Sequence, residues 1–124
     1  MPKQVVSAPS APSALGPYSP AVEANGFVFV SGQVAIVPAG DRPESVAEQA
    51  TVVLDNISAI LGDAGLTMSD IAKSTIFLAD INDFSAVNDV YASYFDQDPP
   101  ARSTFQVGAL PGGFLVEIEV IAAR

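Results

Sequence analysis

One long amphipathic helix is the feature that most constrains the fold of this chain. Its start matches a capping box, Ser45-Val46-Ala47-Glu48, in which the first and fourth side chains each accept a backbone N–H of the other residue. Up to Gly62 and Gly65, apolar residues recur every three or four positions, at Val46, Ala50, Val53, Leu54, Ile57, Ile60 and Leu61. The remaining side is polar, so the helix predicted from Ser45 to Ala64 should cover one face of a sheet.

Short β-branched and aromatic runs predict the strands of that sheet. They lie at residues 27–30, 34–37, 71–79, 102–107 and 115–123. The first two follow the turn signal Asn25-Gly26, and they are two strands or one strand bent at Gly32. The last two are joined by a hairpin or a longer connection, and Val5-Val6 can add a short strand.

A second helix is predicted after Asp83, which can cap it. Its apolar stripe comprises Phe84, Val87, Val90, Tyr91 and Tyr94. The resulting order is ββ-α-β-α-ββ, and neither an internal repeat nor a linker divides residues 1–124. This order predicts a single α+β domain in which two helices pack on one face of a mixed β-sheet.

A proline-rich segment precedes the first strand. Residues 7–20 carry four of the ten prolines, at Pro9, Pro12, Pro17 and Pro20, which forbids a helix there. Such a composition suits a disordered tail or an ordered loop. Leu15 and Tyr18 favour the loop, because a disordered tail does not need apolar anchors.

The absence of cysteine and histidine limits the chemistry that the chain can perform. Thiol nucleophiles, disulfides, histidine general bases and Cys/His metal clusters are all excluded. Acid–base chemistry must then come from carboxylates, tyrosine or water. We therefore expect a site with neither a metal nor a cofactor.

The charge distribution limits the partners. The net charge is −9, and the five cations are spread along the chain, at Lys3, Arg42, Lys73, Arg102 and Arg124. Nucleic acid and anionic membranes are therefore not expected as partners, although one arginine can still bind a small carboxylate. No apolar run approaches the ~20 residues of a membrane span, so a cytoplasmic protein is expected. Charged residues make up only 15%, and some apolar surface should lie between subunits.

Strand alternation assigns the residues of the last two predicted strands to faces. In the first strand, one face carries Arg102, Thr104 and Gln106, and the other, which suits the core, carries Ser103, Phe105 and Val107. In the second, the face that should meet the helices is wholly apolar and carries Val116, Ile118, Val120 and Ala122. Glu117 and Glu119 therefore point outward, and Arg102 and Thr104 share that outer face if the two strands pair.

Two interpretations of the shared outer face remain open at this point. One is an ordinary solvated sheet surface on which Arg102 pairs with a glutamate across the strands. The other is a subunit interface, because Leu115 and Ile121 flank the glutamates and make the face mixed rather than polar.

Six short motifs resemble those of the RidA/YjgF family, also described as the endoribonuclease L-PSP family, and they follow the family's order. They are Gly16-Pro17-Tyr18-Ser19, Val30-Ser31-Gly32-Gln33, Ala79-Asp80-Ile81-Asn82-Asp83-Phe84, Val87-Asn88, Pro100-Ala101-Arg102-Ser103 and Val116-Glu117-Ile118-Glu119. Each motif is weak alone. Their order and spacing cover nearly the whole chain and agree with the predicted elements.

The resemblance implies a chorismate-mutase-like fold that assembles as a homotrimeric barrel, with clefts at the subunit interfaces that borrow residues from two chains. It implies that Arg102 clamps a substrate carboxylate and that Glu117 positions the hydrolytic water. Tyr18, Ser31, Gly32, Asn88 and Thr104 would line the cleft. Two positions depart from the family pattern: Pro20 stands where many members have Gln, and Thr104 where one branch has Cys.

The reaction implied is hydrolysis of 2-imino acids to 2-keto acids and ammonia, with substrates such as 2-iminobutanoate and the 2-iminopropanoate that forms from 2-aminoacrylate. Because an imine carbon is already electrophilic, an anchored carboxylate, one oriented water and one proton carrier suffice. An alternative is a non-catalytic module that binds a keto acid as a signal. A ribonuclease or translation inhibitor, also described in this family, fits the charge distribution poorly.

Overall fold

The computed structural model, which describes residues 2–37 and 40–124, contains six strands and two α-helices. The strands are β1 (Gln4–Val6), β2 (Ala21–Ala24), β3 (Phe27–Gln33), β4 (Ile71–Leu78), β5 (Ala101–Gln106) and β6 (Val116–Ala123). The helices are α1 (Val46–Asp63) and α2 (Phe84–Ala92), and single 3-10 turns lie at Met68–Asp70, Ile81–Asp83 and Pro111–Gly113. The strands form one mixed sheet in the order β1-β2-β3-β6-β4-β5.

The first helix matches its prediction. Ser45 caps α1, its hydroxyl accepting the N–H of Glu48 at 3.1 Å while the Glu48 carboxylate accepts the N–H of Ser45. The buried side of α1 consists of Gln49, Ala50, Val53, Leu54, Ile57, Ile60 and Leu61. This side packs against β3 and β6, and α2 packs beside α1, so both helices cover one face of the sheet, as predicted.

The N-terminal hairpin consists of β2, which the sequence pattern did not predict, and β3, which begins with the first predicted strand. Asn25 and Gly26 form the expected turn, both with positive φ (56° and 81°), but the turn joins β2 to β3. The second predicted strand, residues 34–37, is not a strand. β3 instead continues through Gly32 with a register shift against β6 between Val30 and Gln33, a bulge after which Gln33 pairs with Ile118. β2 escapes prediction because it directly follows the proline-rich segment.

The C-terminal strands do not form a hairpin. β6 lies between β3 and β4 and is antiparallel to both, whereas β5 pairs in parallel with β4 at the edge of the sheet. The units β4, α2 and β5 therefore form a β-α-β crossover. Because β4 separates them, β5 and β6 never pair, so of the two connections that the sequence left open the longer one is found.

The proline-rich loop is ordered, but its anchors differ from those predicted. Leu15 is 67% exposed, so its side chain is not a buried anchor. Ser10 fixes the loop to the end of α1 instead, since its N–H and hydroxyl both donate to the Asp63 carboxylate, at 2.9 and 2.8 Å. Ala8 and Ala11 pack against the core.

Candidate functional site

The register of β4 and β5 places Arg102 on the helix side of the sheet. Arg102 lies opposite Ser74 and Thr104 lies opposite Ile76. Ser74 and Ile76 are 1% and 0% exposed, and Ser74 accepts a hydrogen bond from Tyr91 of α2. Since in-register partners point to the same face, Arg102 and Thr104 face α2. The prediction that they lie on the outer face was wrong.

The outer face carries Glu117, as predicted, together with residues that were assigned to the core. Glu117 lies opposite Phe77, and Phe77 lies opposite Phe105 and meets its ring edge-on at 5.2 Å between centroids. Phe105 is 45% exposed, and Ser103 is also exposed. The assignment of Ser103 and Phe105 to the core was therefore wrong. On this edge strand, the aromatic ring faces the uncovered side of the sheet.

Arg102 and Glu117 consequently lie on opposite faces of the sheet within one chain. The cross-strand Arg–Glu pair that the sequence left open is absent. In the described parts of the chain, the only salt bridge joins Arg124 to Glu23, at 2.9 Å. Two separate groups of candidate site residues result, which we call the arginine cleft and the glutamate pocket.

The arginine cleft lies between α2, the chain that follows it and β5. Its cavity measures about 480 Å³ and is lined by Asn88, Asp89, Tyr91, Ala92, Phe95, Pro99, Pro100 and Arg102. The guanidinium carbon of Arg102 lies 4.9 Å from the centroid of the Tyr91 ring and 5.5 Å from that of Phe84. Cation–π attraction therefore holds this arginine. The cleft combines one cation with a largely apolar wall, which suits a small organic carboxylate.

Tyr91 forms the floor of the arginine cleft. It is 6% exposed, and its hydroxyl donates to the Ser74 hydroxyl at 2.9 Å. Burial raises the pKa of the Tyr91 phenol, an effect that the bond to Ser74 and the positive charge of Arg102 partly oppose. The phenol is thus neutral at physiological pH. It serves as an aromatic surface and a hydrogen-bond donor.

The glutamate pocket is built where β3 bulges beside β6. The Glu117 carboxylate lies against Gly32, so close that a Cβ at position 32 would stand 2.8 Å from the Glu117 carboxyl carbon. Burial raises the pKa of the Glu117 carboxyl, and the negative charge of Glu119 adds to the increase. A raised pKa makes this carboxyl better able to exchange a proton near neutral pH.

Ser31 and Tyr18 border the glutamate pocket. The Ser31 hydroxyl donates to the carbonyl of Ser19 at 2.6 Å, and the Ser31 N–H donates to Pro20 at 2.9 Å, which ties the bulge to the proline-rich loop. The Tyr18 hydroxyl accepts the N–H of Leu15 at 3.2 Å. Tyr18 and Gly32 line the same small depression. Of the predicted cleft residues, Gly32 thus lies against Glu117, with Ser31 next to it in the chain and Tyr18 across the depression, whereas Asn88 lines the arginine cleft with Arg102.

Thr104 stands two residues after Arg102 on the same face of β5. Its hydroxyl is buried and has no hydrogen-bond partner among residues 2–37 and 40–124. An unpaired buried hydroxyl destabilises a fold by about 1–3 kcal/mol.

Sequence reasoning missed the residues that support Arg102. Phe84 and Tyr91 were predicted only as part of the apolar stripe of α2, and Ser74 only as part of a strand. Phe84 lies four residues before Asn88 and Tyr91 lies three residues after it, so the three share one face of α2. This spacing is the single signal that could have related the two aromatic residues to the cleft. Among the described residues, no group of three or more His, Cys, Asp or Glu is arranged to hold a metal ion.

The sequence matches a known protein family over nearly the whole chain. A family model described as Endoribonuclease L-PSP matches residues 8–124.

No helix in the described parts of the chain is long and apolar enough to cross a membrane.

Three relatives illustrate the similarity. The 2-iminobutanoate/2-iminopropanoate deaminase of Capra hircus is 48% identical over 98% of this chain and 90% of its own. The Reactive Intermediate Deaminase A, chloroplastic, of Arabidopsis thaliana is 49% identical over 97% of this chain and 65% of its own. The crystal structure of E. coli TdcF with bound serine has a TM-score of 0.93 and 42% identity, and the match covers 98% of both chains.

Proposed function

The chain belongs to the RidA/YjgF family, described as Endoribonuclease L-PSP, and we propose that it is an imine deaminase that hydrolyses 2-imino acids to 2-keto acids and ammonia. The observation that carries the proposal is the arginine cleft, in which the guanidinium of Arg102 has no hydrogen-bond or ion-pair partner among residues 2–37 and 40–124 and can bind a carboxylate. The names of the goat and Arabidopsis deaminases, at 48% and 49% identity, support the same reaction for this chain.

The proposal includes a homotrimer in which the arginine cleft of one subunit meets the glutamate pocket of the next. Its support is the outer face of the sheet, where Val5, Phe27, Phe29 and Phe105 are all exposed apolar residues. Large apolar side chains that are exposed side by side, as Phe27 and Phe29 are at 6.4 Å between ring centroids, mark surfaces that another protein chain covers. A second copy would cover this face and would bring Arg102 and Glu117, which one chain keeps apart, to the same site.

Arg102 anchors the substrate in this mechanism. A guanidinium binds a carboxylate through two parallel N–H bonds, which fixes both the position and the orientation of the adjacent imine carbon. Asn88 and Thr104 lie on the same side of the sheet and add polar contacts. The serine bound by TdcF carries the same α-carboxylate as a 2-imino acid, which supports this substrate class.

Glu117 moves the protons. In the first transfer, Glu117 takes a proton from a water molecule as the water oxygen attacks C2 of the imine, and it passes that proton to the imine nitrogen, which gives a tetrahedral 2-amino-2-hydroxy acid. In the second transfer, Glu117 takes the proton of the C2 hydroxyl and passes it to the amino nitrogen, so that the C–N bond breaks, ammonia leaves and the hydroxyl becomes a carbonyl. One imine and one water thus give one keto acid and one ammonia. The raised pKa of the Glu117 carboxyl suits both transfers.

The direct test is an assay in which a dehydratase supplies 2-aminoacrylate and keto-acid formation is followed with and without this protein. We expect acceleration by the wild type and a loss of kcat/KM of about 100-fold or more in Arg102→Ala, since charged hydrogen bonds are lost. Arg124→Ala, which removes an exposed arginine that binds Glu23 and the Ala64 carbonyl, is the matched control. No acceleration, or full activity in Arg102→Ala, contradicts the proposal. Saturable keto-acid binding without turnover would indicate a binding module instead.

The proposed partners are small 2-imino acids or 2-keto acids in the cytoplasm. The location remains a prediction, since the Arabidopsis relative is named as chloroplastic. Fluorescent tagging of the full chain in its own cells would test it. Nucleic acid stays outside the proposal, because the five cations are scattered over a chain with a net charge of −9.

A further inference from the structure

Arg102 is held by aromatic faces rather than by anions. Within residues 2–37 and 40–124, no carboxylate lies within ion-pair distance of its guanidinium, and the guanidinium donates no hydrogen bond. Its contacts are the rings of Tyr91, at 4.9 Å, and Phe84, at 5.5 Å. An ion pair would occupy the N–H groups in the plane of the guanidinium, whereas a ring beneath it leaves those groups free.

The two rings differ in how firmly they are fixed. Phe84 is 37% exposed and lies at the first turn of α2. Tyr91 is buried, its ring packs on Phe95 at 4.7 Å between centroids, and its hydroxyl bonds to Ser74 at 2.9 Å. Ser74 is itself buried in β4, directly opposite Arg102 in the register of β4 and β5. This hydrogen bond therefore ties the Tyr91 ring to β4, the strand that pairs with β5 and thus with Arg102.

We propose that Tyr91, oriented by its hydrogen bond to Ser74, is a positioning residue that presents the free N–H groups of Arg102 to the substrate carboxylate. This inference rests on the proposed function, because it assigns a means of orientation to the arginine that the proposed function uses as an anchor. In this role both Tyr91 and Ser74 act through Arg102.

A purely structural role for the same bond makes a different prediction. If the bond between Tyr91 and Ser74 only stabilises the fold, its loss lowers the amount of folded protein and leaves the affinity of each folded molecule unchanged. If the bond positions Arg102, the folded protein itself binds carboxylates more weakly, and KM rises more than kcat falls. Binding constants measured on folded protein separate these two cases.

The experiment compares Tyr91→Phe, Ser74→Ala and their double variant with the wild type, using pyruvate as the probe and calorimetry as the readout. Tyr91→Phe keeps the ring and removes the bond. The matched control is Tyr94→Phe, which also removes a tyrosine hydroxyl from the region of α2, where it bonds Asp55 at 2.7 Å and does not contact Arg102. Tyr91→Leu removes the ring as well.

We expect the Kd for pyruvate to rise about three- to tenfold in Tyr91→Phe and in Ser74→Ala, and further in Tyr91→Leu, as cation–π support weakens. The double variant should bind no more weakly than the single variants, since both remove the same bond. Tyr94→Phe should bind like the wild type. An unchanged Kd in Tyr91→Phe and Ser74→Ala overturns the inference.

A second readout does not depend on the substrate. The chain has three arginines, so the side-chain Nε–Hε region of a ¹H–¹⁵N spectrum contains three assignable signals. The Arg102 signal should move in Tyr91→Phe and Ser74→Ala, while that of Arg42, which stacks on Phe114 at 3.8 Å, should stay in place. An unmoved Arg102 signal contradicts the positioning role. If instead Arg102→Ala binds pyruvate as well as the wild type, the proposed function fails while this signal still reports on positioning.

Discussion

The Glu117 carboxylate occupies the space beside Gly32 that a side chain at position 32 would need. A Cβ built there would meet the carboxyl carbon of Glu117 at 2.8 Å and its Oε2 more closely still. The glycine at the β3 bulge therefore determines where the proposed proton carrier can lie. It also explains why Ser31-Gly32, which reads as a strand end in sequence, belongs to the candidate site.

Gly32→Ala should inactivate the enzyme without unfolding it. The new methyl group meets the far end of a flexible side chain, so Glu117 swings away and the backbone stays in place. We expect kcat to fall about 10²-fold or more, as for loss of a general base, and the free energy of unfolding to change by less than about 1 kcal/mol. Keto-acid formation and chemical denaturation measure the two effects.

Gly62→Ala is the matched control, because Gly62 lies in α1 and a Cβ there meets nothing within 4 Å. It should keep full activity and stabilise the protein by roughly 0.5–1 kcal/mol. Wild-type kcat in Gly32→Ala would show that the position of Glu117 is not critical.

Glu117→Gln should stabilise the protein at neutral pH and not at acidic pH. Burial raises the pKa of the Glu117 carboxyl above its ordinary value of 4.5, so the folded state holds this proton more tightly than the unfolded chain. Below the unfolded pKa, both states are protonated and the effect is absent. As the pH rises through the folded pKa, the wild type loses stability that the glutamine variant keeps.

Denaturation of both proteins at pH 4 and pH 7, at one protein concentration, checks this prediction. Glu44→Gln removes an exposed carboxylate ahead of α1 and controls for the change in net charge. A stability difference between Glu117→Gln and the wild type that is the same at both pH values would contradict the raised pKa.

Thr104→Val should weaken substrate binding without lowering the stability of the fold. The Thr104 hydroxyl is buried without a partner among the described residues, so valine of the same shape should leave the fold as stable or stabilise it by up to about 1–3 kcal/mol. If the hydroxyl bonds the substrate, KM rises several-fold in the same variant. Thr51→Val changes an exposed threonine of α1 and should leave KM unaltered. An unchanged KM in Thr104→Val would remove Thr104 from the site.

The sequence predicted the elements whose two sides differ clearly. α1 has one apolar and one polar side with a capping box, and β6 alternates Val116 and Ile118 with glutamates, so the outward direction of Glu117 was predicted correctly. β5 offers no such contrast. One face of β5 carries Arg102 and the other carries Phe105, so neither face is clearly polar or apolar. Arg102 points toward the helices because the rings of Phe84 and Tyr91 and the cleft beside them accommodate its guanidinium.

The order of the strands in the sheet was the second feature that could not be predicted from the sequence. Nothing local to residues 101–123 reveals that β4 separates β5 from β6, since this order depends on contacts between distant parts of the chain. The error had a functional consequence. It placed Arg102 and Glu117 side by side in one chain, whereas their separation is the strongest reason to expect that two chains share each site.

A mixed trimer of Arg102→Ala and Glu117→Gln tests this central claim most directly. The two variants, carrying different tags, are co-expressed and purified over both tags, and keto-acid formation from 2-aminoacrylate is measured. In a three-fold ring that contains both variants, one interface joins an intact Arg102 to an intact Glu117, so about a third of wild-type activity should return. Activity that stays at the level of the two parent variants would contradict a deaminase site built from two chains.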